Sequence, residues 1–145
     1  TVNWFNTSPA QNTLRYRVPG EPEWTILAAS NQAFPHTERT IHTAEITGLA
    51  ADAAYEFQVD GYEDTFTFRT MPATLSRPVK FGVGGDVDVG ATADAMTAAI
   101  AGHDPDFLVV GGDHAYEDAR AENFWKWYRY MESWFRNARS PDGRM

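Results

Sequence analysis

The sequence predicts an all-β sandwich followed by the opening of a layered α/β domain. Three observations carry this. Residues 1–72 break into short segments in which polar and apolar side chains alternate. Residues 73–78 form a linker, in a stretch from Met71 to Pro78 that holds two prolines and few apolar anchors. Residues 79–145 then change period, with apolar side chains recurring at helical spacing around a continuous apolar run.

Bulk properties fit that division. A chain of 145 residues suits one average domain or two small ones. At 43% hydrophobic residues it can build a core, so intrinsic disorder is excluded. The net charge of −8 argues against a nucleic-acid backbone or an anionic membrane as partner. It does not argue against a small phosphorylated substrate, because a bound cation can override the global field locally. With no cysteine there are no disulfides and no thiolate metal sites. No apolar run approaches the roughly 20 residues that a spanning helix needs.

In the first half, Thr1 to Phe5 and Leu14 to Val18 alternate polar and apolar residues, and Pro19-Gly20 closes the second with a turn. Trp24 to Leu27, Thr40 to Ile46, Tyr55 to Val59 and Thr65 to Thr70 are further strands. Strict alternation gives each strand one wet and one buried face, as in an antiparallel sandwich. Ile46-Thr47-Gly48-Leu49 is followed by a short Ala/Asp loop and then Tyr55-Glu56-Phe57-Gln58-Val59. A Tyr opening a strand just after such a loop predicts a tyrosine corner, its phenol bonded back to upstream backbone. With Trp4 and Tyr16, this half resembles a fibronectin type III domain that lacks its first strand before Thr1.

In the second half, Val79 to Gly84 predicts a strand ending in glycines. Thr92 is placed to cap a helix running to about Ala101, with Asp94 favouring the positive end of its dipole. Gly102 and Pro105 stop it. Phe107-Leu108-Val109-Val110 reads as a parallel strand buried on both faces. Glu117 to Ala138 reads as a second helix, with Phe124, Trp127, Tyr128, Met131, Phe135 and Ala138 on its apolar stripe. Strand, helix, strand, helix is a βαβα opening.

Both strands finish with glycine and then aspartate, at Gly85-Asp86 and Gly112-Asp113. A crossover of this length places the strands in one sheet, with their carboxyl ends together, where ligands of open α/β sheets bind. Two carboxylates there repel unless a cation keeps both ionised. Gly82-Val83-Gly84-Gly85-Asp86-Val87 lacks the third glycine of a dinucleotide fingerprint, and no Gly-Lys-Ser/Thr follows either strand. Nucleotide readings are therefore disfavoured.

The stretch Gly112-Asp113-His114-Ala115-Tyr116 carries a Gly-Asp-x-x-Tyr motif, preceded by Phe81-Gly82-Val83-Gly84-Gly85-Asp86. With Pro105-Asp106-Phe107, the tryptophan-rich helix and the fibronectin-like domain in front, it resembles the front part of a purple acid phosphatase, in the calcineurin-like metallophosphoesterase superfamily. The resemblance implies a truncated four-layer α/β domain at 79–145, and Fe(III) plus a divalent Zn, Fe or Mn ion as cofactors. It implies Asp86 as a ferric ligand, Asp113 bridging the two ions and Tyr116 binding iron as phenolate. A hard trivalent ion prefers oxygen donors and can deprotonate a phenol of free pKa near 10. Asp88 and His114 depart from the family pattern. Asp88 is either an extra ligand or a solvated loop carboxylate. His114 reads as supporting structure, its side chain pointing away from Asp113. His36, His42 and His103 show no paired spacing and are expected on the surface.

The family's later motifs, Gly-Asn-His, an isolated His and Gly-His-x-His, do not occur before Met145. The chain is thus expected to be a segment cut at both ends, with no complete catalytic set and little or no activity alone. In the whole enzyme the resemblance implies hydrolysis of small phosphomonoesters by two metals. A phosphodiesterase or nucleotide phosphoesterase of the same superfamily is one alternative. A non-catalytic fibronectin-like binding module with a degenerate phosphatase half is another. Uncovered apolar faces predict association, including homo-oligomers, or low solubility. The resemblance implies a secreted, periplasmic or vacuolar location; the sequon Asn6-Thr7-Ser8 by itself does not decide it.

Overall fold

Alternating segments in the first half need a partner layer for their apolar faces, and they find it in each other. The computed structural model describes residues 1–141, 143 and 144; Asp142 and Met145, at the end of the expected second domain, lie outside the described residues. The chain divides into two compact units, Thr1–Ala73 and Thr74–Met145.

The first unit has seven strands: β1 (Val2–Asn6), β2 (Thr13–Arg17), β3 (Thr25–Ala28), β4 (Ser30–Ala33), β5 (Thr40–Ala44), β6 (Ala54–Val59) and β7 (Phe66–Arg69). They form two antiparallel sheets, ordered β1-β5-β4 and β3-β2-β6-β7. Alternate residues of β5 and β6 are buried, as the period-2 pattern requires. Leu14, Phe34, Tyr55, Phe57, Val59 and Phe66 make the core. Phe57 meets Phe66 at 5.2 Å between ring centroids, a cross-strand aromatic pair.

The tyrosine corner is present: the Ala50 amide donates to the Tyr55 hydroxyl at 3.0 Å. Tyr55→Phe is expected to lower stability by about 1 kcal/mol, the net worth of one hydrogen bond. Urea unfolding should show a lower midpoint at an unchanged slope.

Two expectations for this unit fail. β4 has no place among the predicted strands. All four of its residues are exposed, so it carries no apolar alternation, and it pairs at the sheet edge with β5. His42 is fully buried rather than on the surface. Its ring stacks on Trp4 at 5.1 Å, and its nitrogens lie 2.8 Å from Asn31 Oδ1 and 2.9 Å from Asn6 Oδ1. A polar ring is tolerated there because both nitrogens are engaged. The same network occupies the sequon: Asn6 Nδ2 donates to the Gln11 carbonyl at 3.0 Å, while Oδ1 also accepts from the Ser8 amide at 2.9 Å. A glycan on that nitrogen would disturb these bonds.

The second unit contains β8 (Phe81–Val87), α1 (Ala91–Gly102), β9 (Phe107–His114), a 3-10 turn at Ala121–Asn123 and α2 (Trp125–Asn137). β8 and β9 pair in parallel, Phe81 opposite Phe107 through Gly85 opposite Gly111. Glycines bring the layers close. A Cβ at Gly82 would lie 2.5 Å from Ile100 Cδ1, so α1 sits hard against β8. Val87, Ala93, Ala115 and Tyr130 form the buried cluster, with Val110, Trp127, Met131 and Trp134 packed on it. Asp94 ties the helices together, accepting from Ser133 Oγ at 2.5 Å and from Arg129 Nη2 at 2.9 Å.

Here too the structure corrects the sequence reading. α1 starts at Ala91 with Gly90 as its N-cap, at φ 116°, and Thr92 makes no capping bond. Glycine's freedom at positive φ supplies the sharp entry instead. β9 is not buried on both faces. Leu108 and Val110 face the helices, whereas Phe107 and Val109 are exposed beside Phe81 and Val83. Both helices lie on one side of the sheet, so the other face has no layer among the described residues. α2 begins at Trp125 rather than Glu117, because Ala115, Tyr116, Asp118 and Ala119 all take positive φ and cannot continue a helix. Of its predicted stripe, Trp127 and Met131 pack on the buried cluster, and Tyr130 and Trp134, which the sequence reading left out, join them.

Arg77, placed by the sequence in the linker, belongs to the second unit. Its Nη2 and Nη1 donate to the two carboxylate oxygens of Asp106 at 2.7 and 3.1 Å. The Lys80 amide also donates to Asp106, at 2.9 Å. The Arg77 bonds first, then the Lys80 amide, hold the Asp106 carboxyl down at about 2, well below its ordinary 3.8. A depressed carboxylate stabilises the fold above its unfolded pKa and loses that contribution as pH falls through its folded pKa. The second unit is therefore expected to lose stability between about pH 4 and pH 2. Acid titration followed by circular dichroism should show this component in the wild type and not in Asp106→Asn.

Candidate functional site

Two strand ends and the loops after them build the site. The parallel ladder is regular up to Gly85 opposite Gly111, then slips so that Val87 pairs with His114. Asp86 therefore lies opposite Gly112 and Asp113 at a bulge. Both aspartates take left-handed backbone, Asp86 at φ 57° and Asp113 at φ 45°. Such residues persist only where their surroundings over-determine them, and they concentrate at functional positions. Both are exposed at the carboxyl edge of the sheet, so their carboxylates are open to a ligand.

Tyr116 follows in a tight turn, its amide donating to the His114 carbonyl at 2.6 Å. It too is left-handed, at φ 50°, and half-buried. Ala115 between them is fully buried, and its amide donates to the Val87 carbonyl at 3.2 Å. That bond fastens the loop after β9 to the end of β8.

The two remaining sequence candidates are placed differently. Asp88 sits in the exposed loop before α1, with Lys126 Nζ 3.8 Å from its Oδ1. His114 faces α2: its Nδ1 lies 2.9 Å from the Tyr130 hydroxyl, and its ring packs at 6.2 Å from Trp127. Burial pushes the Tyr130 phenol above its ordinary value, and a bond from Trp134 works the other way. Tyr130 thus stays protonated with its hydroxyl available to His114.

Sequence reasoning missed Lys126 and Tyr130. Lys126 donates to the Tyr116 carbonyl at 3.1 Å besides reaching Asp88. The available signal was a single cation between Trp125 and Trp127, at the start of the helix that follows the motif.

Chemically the donors are two carboxylates and a phenol, oxygen ligands that suit a hard cation. They are few. Among the described residues no group of three His, Cys, Asp or Glu side chains could hold a metal ion.

No curated protein matches the chain. A family model does: the purple acid phosphatase N-terminal domain matches residues 1–70, just under half of the length. That stretch coincides with the seven-stranded sandwich and its tyrosine corner. Residues 1–70 of this chain are therefore similar to the purple acid phosphatase N-terminal domain.

Proposed function

We propose that the second unit opens a calcineurin-like metallophosphoesterase domain, and that the chain is the front of an acid phosphatase acting on small phosphomonoesters. The observation that carries this is the pair Asp86 and Asp113: both left-handed, both exposed, and set opposite in register at a bulge at the carboxyl end of parallel strands. The matched domain in front supports it, since purple acid phosphatases are metal-using hydrolases.

In this reading Asp86, Asp113 and Tyr116 would hold Fe(III), and Asp113 would also serve a divalent Zn, Fe or Mn ion. A bound pair of this kind supplies a water of lowered pKa and a charge clamp on phosphate. The chain's own residues fix the spacing of the two carboxylates through the ladder. They keep the Tyr116 loop against β8 through the Ala115 amide. They leave the carboxyl edge open for substrate.

Asp86, Asp113 and Tyr116 are too few to hold two ions, so a second ion would need further ligands. Titrating the purified chain with Fe(III) tests the reading. One equivalent bound, with the visible absorption of a phenolate–iron bond, supports it; no binding refutes it.

A further inference from the structure

Of the five residues 112–116, four take positive φ: Gly112, Asp113, Ala115 and Tyr116. Three of these are not glycine, so the loop does not rest in this shape by its own preference. Something outside it must hold it there. Two side chains of α2 reach it, at its middle and at its far end. Tyr130 takes the middle, with its hydroxyl 2.9 Å from Nδ1 of His114, next to Asp113. Lys126, one turn earlier on the helix, takes the far end, donating to the Tyr116 carbonyl at 3.1 Å. The same ammonium lies 3.8 Å from Asp88, so it also reaches the loop after β8.

Both side chains are anchored for this. Tyr130 is buried, set in the cluster of Val87, Ala93 and Ala115 and edge-on to Trp127 and Trp134. The Lys126 side chain is largely covered, at 22% exposure. α2 is also held to α1 through Asp94, an anchor separate from the loop.

We propose that α2 is a two-point clamp on the 112–116 loop, with Tyr130 and Lys126 as positioning residues for Asp113 and Tyr116. The clamp stands on the geometry alone; its positioning role rests on the ligand reading above. It makes metal affinity depend on two residues that touch no metal. Supporting partners of this kind typically contribute about 10- to 100-fold to metal affinity.

The test uses the full chain. Amide hydrogen exchange is measured without metal for the wild type, Tyr130→Phe, Lys126→Met, the double variant and Lys126→Arg. Tyr130→Phe keeps the ring in its cluster and removes only the hydroxyl. Exchange across 113–118 should rise about tenfold in the double variant while α1 stays protected, and Lys126→Arg should behave as wild type. Fe(III) affinity, read by titration, should fall about tenfold in the double variant. Unchanged exchange in the double variant overturns the clamp. Faster exchange with unchanged Fe(III) affinity overturns the positioning role. A wild type that takes no Fe(III) overturns the ligand set, and the positioning role with it.

Discussion

Asp113→Asn is expected to cost Fe(III) binding at least about 100-fold, the upper end of what supporting partners alone contribute to a metal site. The substitution is chosen for its backbone. Asp113 sits at φ 45°, where a Cβ is strained, and asparagine is among the few residues that visit this region routinely. The fold should survive, and the loss should report the charge. Asp86→Asn, at φ 57°, is expected to behave alike for the same reason. Tyr116→Phe should retain part of the affinity while abolishing the visible phenolate–iron absorption. Isothermal titration together with absorption spectra separates these effects. In the metal-free chain the aspartate variants should be as stable as wild type, since each replaces an exposed carboxylate by a residue that tolerates the same backbone.

Gly85→Ala should unfold the second unit or leave it severely destabilised. A Cβ at Gly85 would overlap the carbonyl oxygen of Gly111, on the paired strand. The obstacle is backbone, so no rotamer change relieves it. The ladder must open at the rung just before the bulge that carries Asp86. A cost of about 3 kcal/mol or more is expected, at or beyond the usual range for overpacking. Gly84→Ala is the control. Nothing lies within 4 Å of its Cβ position, so it should cost little. Thermal melts of the two variants should differ widely, although the substitutions are chemically identical and adjacent.

The contrast between these neighbours shows what can be read from a sequence and what cannot. Two Gly-Asp pairs one βαβ unit apart were legible, because crossover length and strand ends follow from spacing. The slip that sets Asp86 opposite Gly112 and Asp113 was not, since a bulge has no pattern of its own. The corner at Tyr55 was legible because loop and strand flank it in order. β4 was not, because an exposed edge strand of Ser30, Asn31, Gln32 and Ala33 has no apolar face to announce it. His42 and Tyr130 share a third reason. Each is a polar side chain buried against partners distant in sequence: Asn6 lies 36 positions from His42, and His114 lies 16 from Tyr130. A polar residue reads as surface until those partners are known. The onset of α2 was misplaced because local helical spacing extends into Glu117 to Phe124, while left-handed residues there serve the loop instead.

The central claim is that Asp86, Asp113 and Tyr116 form one hard-cation site at the end of β8 and β9. Its most direct test is a ferric titration of the purified chain, read by absorption in the visible, beside Asp113→Asn and Tyr116→Phe. The account predicts one Fe(III) per chain in the wild type with a phenolate–iron band, the band lost in Tyr116→Phe, and binding lost in Asp113→Asn. A wild type without the band, or variants that bind iron as the wild type does, would contradict it.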